Sequence, residues 1–194
     1  MEIIKAKDIN KYFFKDSIFV YPTETAYGLG ACSLNENLLE KIYKIKQRPK
    51  NKVFPLIAAS LSQVQTFFYL SKKERELADK YWAGPLTLLL RPKREFPKIL
   101  LGLEGRIGVR VSSNPFAQLL SKKCAQPIVA TSANLSGKTN LYKISDIIEE
   151  FENSKNQPDF IIDDGDLKEK SSSTIVMVED ESCKILRQGD IQIK

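Results

Sequence analysis

Positive charge is concentrated in one short stretch of the chain, residues 41–52, which reads KIYKIKQRPKNK. Six of these twelve residues are Lys or Arg, and none is acidic. One or two cations are enough to complement a helix C-terminus, so six indicate an anionic ligand. The alternative interpretation is a solvated charged face, which is the ordinary situation of a single surface lysine. The choice between them depends on what else the chain carries.

Clusters of hydroxyl and amide side chains occur at three predicted strand ends. They are PTET at 22–25, TSANLSG at 131–137 and SSST at 171–174. Arg187 lies fourteen residues after Ser173 and is expected on the neighbouring strand. Such clusters suit phosphate or carboxylate recognition, and ligands of open α/β sheets tend to bind at strand ends. Each cluster alone is more often a turn, but three of them beside the basic stretch favour a binding site.

The chain contains no histidine. A Ser/His/Asp triad, a His-based zinc site and the usual general base near neutral pH are therefore excluded. The sequence also lacks the GxxxxGK[ST], GxGxxG and kinase motifs. Its chemistry must rest on Lys, Arg, carboxylates, hydroxyls and backbone groups, and nucleotide binding would use an uncommon route.

Composition is that of a globular protein of one domain, residues 1–194, with 42% hydrophobic and 28% charged residues. No apolar run approaches the ~20 residues that span a bilayer. The N-terminal MEIIKAKDIN lacks the apolar core of a signal peptide. A cytoplasmic location without membrane association is expected. Because the net charge is +6 while residues 146–169 hold nine acids against two lysines, a polyanionic partner, nucleotide or RNA, is predicted.

The three cysteines are Cys32, Cys124 and Cys183. They are odd in number and far apart, and no CxxC pair is present. They are expected to be buried thiols in a reducing compartment, neither a zinc site nor a disulfide framework.

Hydrophobic patterning predicts strands mixed with helices without strict alternation. The predicted helices cover 35–47, 61–70, 71–82, 114–124 and 143–151, with Asn114 and Pro115 starting the fourth. The predicted strands cover 17–22, 27–33, 53–60, 86–90, 107–111, 127–132, 160–163, 173–178 and 184–189. Pro49 should end the first helix near Arg48. This pattern favours an α/β fold with a mixed parallel and antiparallel sheet flanked by helices.

A family resemblance rests on six segments in order: YPTETAYGLG, IYKIKQRPKNK, WAGPLTLLL, IGVRV, PIVATSANLSG and SSSTIVMV followed by ILRQGDI. Together they resemble the YrdC-type family of threonylcarbamoyl-AMP synthases, from about residue 18 to about residue 191. The most specific feature is a KxR motif (Lys46, Arg48) combined with an SxN motif (Ser132, Asn134). The resemblance implies a twisted mixed sheet with a concave basic face, in the short single-domain form of the family.

The implied activity is a nucleotidyltransferase reaction in tRNA processing. L-Threonine, bicarbonate or CO2, and ATP would give threonylcarbamoyl-AMP and pyrophosphate. Mg²⁺ would arrive with ATP, and the protein itself would supply no metal site. A tRNA threonylcarbamoyl-transferase complex would then modify the adenosine beside the anticodon of tRNA.

The resemblance also implies a role for individual residues. The catalytic residues would be Lys46 and Arg48. The ATP-binding residues would be Arg48, Lys52, Ser132, Asn134, Asn140 and Arg187. The threonine-binding residues would be Thr25, Arg110, Ala130 and Ser173. Ile57 and Arg106 depart from common family patterns, and no role is assigned to them.

Two other functions fit parts of the sequence. A carbamoyl-adenylate-forming enzyme of hydrogenase maturation would share the fold, but such domains lie in longer chains with zinc-finger motifs. A pure RNA-binding module would use the basic stretch without catalysis. The threonine set, Thr25, Arg110 and Ser173, would have no purpose in such a module.

Overall fold

A computed structural model describes residues 1–12, 14–32 and 34–193 of the chain. The helices are α1 (Glu36–Lys46), α2 (Leu61–Phe67), α3 (Lys72–Tyr81), α4 (Pro115–Lys123) and α5 (Ile144–Glu152). The strands are β1 (Glu2–Lys5), β2 (Ile18–Pro22), β3 (Tyr27–Ala31), β4 (Leu56–Ala58), β5 (Leu86–Leu90), β6 (Ile107–Val111), β7 (Ile128–Val129), β8 (Thr131–Ser132), β9 (Phe160–Asp163), β10 (Thr174–Glu179) and β11 (Ser182–Arg187). All five predicted helices are present. The end of the predicted strand 27–33 at Ser33 lies outside the described residues.

The strands form two sheets. One has the order β1-β9-β2-β3-β8 and the other the order β11-β10-β5-β6-β4-β7. Each combines parallel and antiparallel pairs: β2 is parallel to β9 and antiparallel to β3, and β5 is parallel to β10 and antiparallel to β6. The mixed pairing was predicted correctly. The division into two sheets was not, because hydrophobic patterning along one strand does not reveal which other strands pair with it.

Apolar side chains from both sheets and from the helices pack in one large cluster. Val20 and Leu29 enter it from the first sheet, Leu88 and Val109 from the second, and Ile42 from α1. The backbones also come close, because a side chain at Gly30 in β3 would collide with the carbonyl of Val129. Burial of this shared apolar surface stabilises the contact between the two sheets.

The predicted strand 127–132 is divided into two strands that belong to different sheets. β7 pairs with β4, whereas β8 pairs with β3 of the other sheet. At the crossing point the amide of Ala130 donates to the carbonyl of Pro55 at 2.9 Å. Because each half pairs with a different sheet, residue 130 lies at the place where the sheets meet.

Helix α1 begins and ends at residues suited to those positions. The side chain of Asn35 accepts a hydrogen bond from the amide of Leu38 and caps the first turn. Gln47 ends the helix in the left-handed conformation, with φ of 49°. The chain therefore turns before Arg48, and Lys46 and Arg48 point in different directions although they are only two residues apart.

The prediction that all three cysteines are free thiols was wrong. Cys32 and Cys124 form a disulfide, with their Cα atoms 5.3 Å apart, and Cys183 is free. Cys32 follows β3 and Cys124 follows α4. A separation of 92 residues gives no sequence signal of this contact, which depends on how α4 packs beside the sheets.

No helix in the described ranges is both long and apolar enough to cross a membrane.

Candidate functional site

A cavity of about 260 Å³ lies where the two sheets meet. Thr25 and Gly28 line it from the first sheet and its loops, and Arg110 and Ile175 line it from the second. Its remaining lining residues are Thr23, Ala26, Tyr27, Arg48, Val53, Pro55, Ala130, Thr131, Ser132, Asn140, Ser172, Ser173 and Arg187.

Most of the residues proposed from the sequence line this one cavity. The eight that do so are Thr25, Arg48, Arg110, Ala130, Ser132, Asn140, Ser173 and Arg187. Lys46, Lys52 and Asn134 lie outside its wall. The structure thus brings together hydroxyls, an amide and three guanidinium groups from segments far apart in the sequence.

Lys46 is fully buried, at 1% exposure, and faces backbone carbonyls instead of the cavity. Its Nζ donates to the carbonyls of Ser132 and Asn134, the second at 2.7 Å. Burial, with a contribution from the charge of Arg48, lowers the pKa of Lys46 to about 7. The lysine therefore supports the backbone of the SxN loop from behind.

Asn134 also acts inside this loop. Its Nδ2 donates to the carbonyls of Leu135 at 3.1 Å and Lys138 at 2.6 Å. Glu150 of α5 accepts from the amide of Leu135 at 2.8 Å and pairs with Lys138 at 2.7 Å. These bonds satisfy the polar groups of the loop internally, which fixes Ser132 at the cavity wall.

Arg48 reaches the cavity from the loop after α1. Its Nε donates to the carbonyl of Lys52 at 3.0 Å and its Nη2 to that of Val53 at 3.3 Å. The guanidinium carbon lies 5.3 Å from the ring centroid of Phe54. Lys52 thus contributes through its carbonyl to the position of Arg48, while its own side chain lies outside the cavity.

The PTET segment forms a tight turn at one side of the cavity. The hydroxyl of Thr23 donates to the carbonyl of Ala26 at 2.6 Å and accepts from the amide of Thr25 at 3.2 Å. The two threonine hydroxyls are 3.1 Å apart. Such a turn presents the Thr25 hydroxyl to the cavity with little freedom.

Arg110 is buried and paired with a carboxylate that the sequence analysis did not assign. Its Nε lies 3.1 Å from Oε1 of Glu24. Its Nη2 lies 3.5 Å from the Thr25 hydroxyl, a long contact. Glu24 was missed because an acid between two threonines looks like an ordinary turn residue. No local signal could have found it, because its partner Arg110 lies far away in the sequence, on a strand of the other sheet.

Arg187 lies on β11, beside β10, as predicted. Its guanidinium donates to the carbonyl of Ser173 from Nε at 3.0 Å and from Nη2 at 2.8 Å. Partial desolvation of its guanidinium, together with the nearby charge of Arg110, lowers the pKa of Arg187 below its ordinary value. Two guanidinium groups therefore lie close enough to repel one another.

Positive charge exceeds negative charge at the cavity. Arg48 and Arg187 form no ion pair with any described residue, whereas Arg110 pairs with Glu24. Burial lowers the pKa of Arg48 as well, but an arginine remains protonated at neutral pH. Arg48 is half-buried and Arg187 is exposed, so a ligand can reach both, and two cations without carboxylate partners favour a bound anion at this wall. The cavity is therefore suited to an anionic ligand.

The two unassigned positions lie away from the cavity lining. Arg106 is buried and pairs with Glu74 at 3.3 Å and with Glu104 at 3.6 Å. Ile57 is fully buried in β4, directly opposite Arg110 of β6. Arg106 joins α3 to the second sheet, and Ile57 packs in a smaller apolar cluster beside the strand of Arg110.

Comparison with known proteins identifies the family. The Sua5/YciO/YrdC family model, which carries the description "Telomere recombination", matches residues 11–189. The chain belongs to the Sua5/YciO/YrdC family. It is 31% identical over 186 residues to a putative threonylcarbamoyl-AMP synthase of Methanocaldococcus jannaschii, covering 96% of this chain and 86% of that relative.

Two solved structures support the assignment. Sua5 of Pyrococcus abyssi in complex with L-threonine matches with a TM-score of 0.80 and 31% identity over 95% of this chain. The match covers 52% of the P. abyssi Sua5 chain, so this chain spans about half the length of that protein. YciO of E. coli matches with a TM-score of 0.78 and 29% identity, covering 95% of this chain and 86% of that one.

Proposed function

We propose that the protein is a threonylcarbamoyl-AMP synthase. It joins L-threonine, CO2 or bicarbonate, and ATP into threonylcarbamoyl-AMP and releases pyrophosphate. The observation that carries the proposal is the cavity with the unpaired cations Arg48 and Arg187 on its wall and with Arg110 and the Thr25 hydroxyl beside them. A carboxylate-bearing amino acid and a triphosphate together match this arrangement of charges and hydroxyls.

L-Threonine is proposed to bind beside the PTET turn. Arg110 would hold its carboxylate, since a guanidinium offers a planar fork to a carboxylate. The Thr25 and Ser173 hydroxyls and the backbone at Ala130 would bond the amine and hydroxyl of the substrate. The named complex of P. abyssi Sua5 with L-threonine supports this part of the proposal.

ATP is proposed to bind along the opposite wall. Arg48 would face its phosphates, with Lys52 near them at the surface. Ser132, Asn134 and Asn140 would lie along the nucleotide, and Arg187 would close over it. Mg²⁺ is proposed to enter with ATP, where it would neutralise charge on the phosphates. Within the described ranges no group of three or more His, Cys, Asp or Glu side chains could hold a metal ion.

The proposed chemistry needs positioning more than proton transfer. The neutral amine nitrogen of threonine bonds to the carbon of CO2 and gives up one proton to water, which leaves a carbamate. A carbamate oxygen then bonds to the α-phosphorus of ATP as the bond to the bridging oxygen breaks, and pyrophosphate leaves. The protein's cations stabilise charge in this transfer, which suits a chain without histidine.

Lys46 and Arg48 are proposed as the catalytic pair, with different actions. Arg48 lines the cavity and can stabilise charge on the phosphates directly. Lys46 donates to the carbonyls of Ser132 and Asn134 and would have to leave them to reach a ligand. Its proposed contribution in the observed position is to hold the SxN loop against the nucleotide.

Further parts of the proposal concern location and partners. The protein would work in the cytoplasm as one YrdC-like domain, residues 1–194. A concave basic face would contact tRNA, and a tRNA threonylcarbamoyl-transferase complex would receive the product. The excess of basic residues over acidic ones, 30 against 24, supports a polyanionic partner.

Pyrophosphate release tests the function. With Mg²⁺-ATP and bicarbonate, the protein should release pyrophosphate with L-threonine and far less with L-valine, which has nearly the same shape but no hydroxyl. Equal rates with both would contradict a threonine site. Activity with carbamoyl phosphate in place of threonine and bicarbonate would favour a hydrogenase-maturation activity. RNA binding without any pyrophosphate release would favour a binding module.

A further inference from the structure

A buried carboxylate lies directly behind the guanidinium of Arg110. The side chain of Glu24 is 6% exposed and that of Arg110 is 10% exposed. Oε1 of Glu24 is 3.1 Å from Nε of Arg110, although the N–H does not point straight at it. A buried carboxylate is retained only where partners compensate its lost hydration, so its partners indicate what it does.

The second carboxylate oxygen of Glu24 is held by the strand that carries Arg110. The Ser112 hydroxyl donates to Oε2 of Glu24. Ser112 directly follows β6 and lies two residues after Arg110, and both side chains contact the carboxylate of Glu24. The Ser112 hydroxyl also accepts from the amide of Asn114, the N-cap of α4, at 3.1 Å. Glu24 is therefore held by a hydrogen bond at Oε2 and by an ion-pair contact with Arg110 at Oε1.

This arrangement leaves the outer end of the guanidinium available. Nε faces Glu24, and the described residues offer the two Nη groups only the long 3.5 Å contact to the Thr25 hydroxyl. Arg110 lines the cavity. The outer Nη edge is therefore available for a bidentate contact with a carboxylate, and such a contact is strongest when the guanidinium is oriented in advance.

We infer that Glu24 is a positioning residue that orients Arg110 for the carboxylate of the amino-acid substrate. The inference rests on the proposed function, because it takes that substrate to be L-threonine. Glu24 does not touch the substrate. Its carboxylate holds Nε on one side, so that the Nη edge points into the cavity.

A purely electrostatic role for Glu24 gives the opposite expectation. Arg48, Arg110 and Arg187 line the cavity, and the negative charge of Glu24 offsets one of their three positive charges. If that were its only effect, Glu24→Gln would strengthen the binding of a carboxylate. If Glu24 positions Arg110, the same substitution should weaken that binding, so the sign of the change separates the two roles.

The experiment measures the affinity of purified variants for L-threonine and for ATP by calorimetry. Glu24→Gln should raise the Kd for L-threonine about tenfold, the scale of one lost bond to a charged group, and change the Kd for ATP less than about twofold. Arg110→Lys keeps the charge and loses the fork, so it should also weaken threonine binding. In the Arg110→Lys background, Glu24→Gln should have almost no further effect, because it acts through the fork.

Two further variants control for folding. Glu74→Gln breaks the buried Glu–Arg pair with Arg106, outside the cavity, and should lower the melting temperature while leaving both Kd values unchanged. Should Glu24→Gln fail to fold, Ser112→Ala takes its place. It keeps the charge and removes the donor to Oε2, and should raise the Kd for L-threonine about threefold.

The inference is overturned if Glu24→Gln binds L-threonine as tightly as the wild type or more tightly, or if it loses affinity for L-threonine and ATP equally. It is also overturned if the effects of Glu24→Gln and Arg110→Lys on threonine binding simply add. The proposed function has a separate test. If the wild-type protein binds L-threonine but releases no pyrophosphate, the function is wrong and the binding data still decide the role of Glu24. If the wild-type protein binds no L-threonine, the proposed function and the positioning role of Glu24 are both overturned.

Discussion

Arg187 holds Ser173 at both the backbone and the side chain. Its Nη2 donates to the carbonyl at 2.8 Å and to the hydroxyl at 2.9 Å, and Nε donates to the same carbonyl at 3.0 Å. The pairing of β10 with β11, which sets Arg187 opposite Ile175, brings them together. One residue proposed for ATP and one proposed for threonine thus form a single unit, so the two ligands are expected to influence each other.

The first prediction concerns this unit. Ser173→Ala removes the hydroxyl that Arg187 and a threonine substrate would share, so it should weaken the binding of both L-threonine and ATP, each about three- to tenfold. Arg187→Lys loses the fork and should weaken ATP binding more than threonine binding. Calorimetry with each ligand measures both effects. If Ser173→Ala changed threonine affinity alone, Arg187 would be held adequately by the backbone carbonyl.

The second prediction separates the cations of residues 41–52. Arg48→Ala should lower the rate of pyrophosphate release by about 10²–10³, since it removes charge stabilisation near the transferring phosphorus. Replacing Lys41, Lys44 and Lys50 with Ala together should leave that rate within about threefold, because exposed cations are screened. Lys50 pairs with Glu40 at 2.6 Å at the surface, which supports its peripheral role.

The same triple variant should bind tRNA more weakly than the wild type. The affinity of this variant for tRNA should also fall less steeply as the salt concentration rises, because fewer phosphate contacts release fewer counterions. Binding measured across a series of salt concentrations gives this slope. If the triple variant, still folded, lost synthase activity as severely as Arg48→Ala, the division into catalytic and peripheral cations would be wrong.

The third prediction concerns the disulfide. Cys32 and Cys124 are 92 residues apart, and closing so long a loop restricts the unfolded chain, which stabilises the fold by about 4–5 kcal/mol in the chain-entropy account. Cys32→Ser should therefore lower the melting temperature, and reductant should lower that of the wild type but not that of the variant. Cys183→Ser, the matched control, should respond to reductant like the wild type. Equal melting temperatures with and without reductant would contradict a stabilising disulfide.

The sequence predicted the local elements better than their assembly. The N-cap Asn114 with Pro115 as the first residue of α4, and the end of α1 before Arg48, follow from side-chain and backbone chemistry within a few residues. Two features depend on tertiary packing and carried no local signal: the split of 127–132 between two sheets and the contact of Cys32 with Cys124.

The candidate site shows the same limit. Eight of the residues chosen by motif resemblance line one cavity, because the motifs lie in segments that converge there, and their roles stay predictions. The resemblance did not show that Lys46 faces away from the cavity, because its partners are the backbone carbonyls of Ser132 and Asn134, which lie far from it in the sequence. Nor did it find Glu24, whose importance depends on Arg110, a residue of another sheet.

The last prediction uses the burial of Lys46. The pKa of Lys46 is about 7 in the folded protein, against about 10.4 for an unfolded lysine. Between these values the unfolded chain binds a proton that the folded chain does not. The free energy of unfolding should therefore rise with pH in this window, by at most about 1.4 kcal/mol per pH unit from this group. Below pH 7 both states are protonated, and the contribution of Lys46 is at its lowest.

Lys46→Met keeps the length of the side chain and removes the titration. The difference in unfolding free energy between wild type and Lys46→Met, from urea denaturation at pH 7, 8 and 9, should move in favour of the wild type as the pH rises. Lys44→Met changes an exposed lysine of the same helix and should keep the pH slope of the wild type. A constant difference between wild type and Lys46→Met would mean that Lys46 stays protonated in the fold. The carbonyls of Ser132 and Asn134 would then hold a charged ammonium rather than a neutral amine.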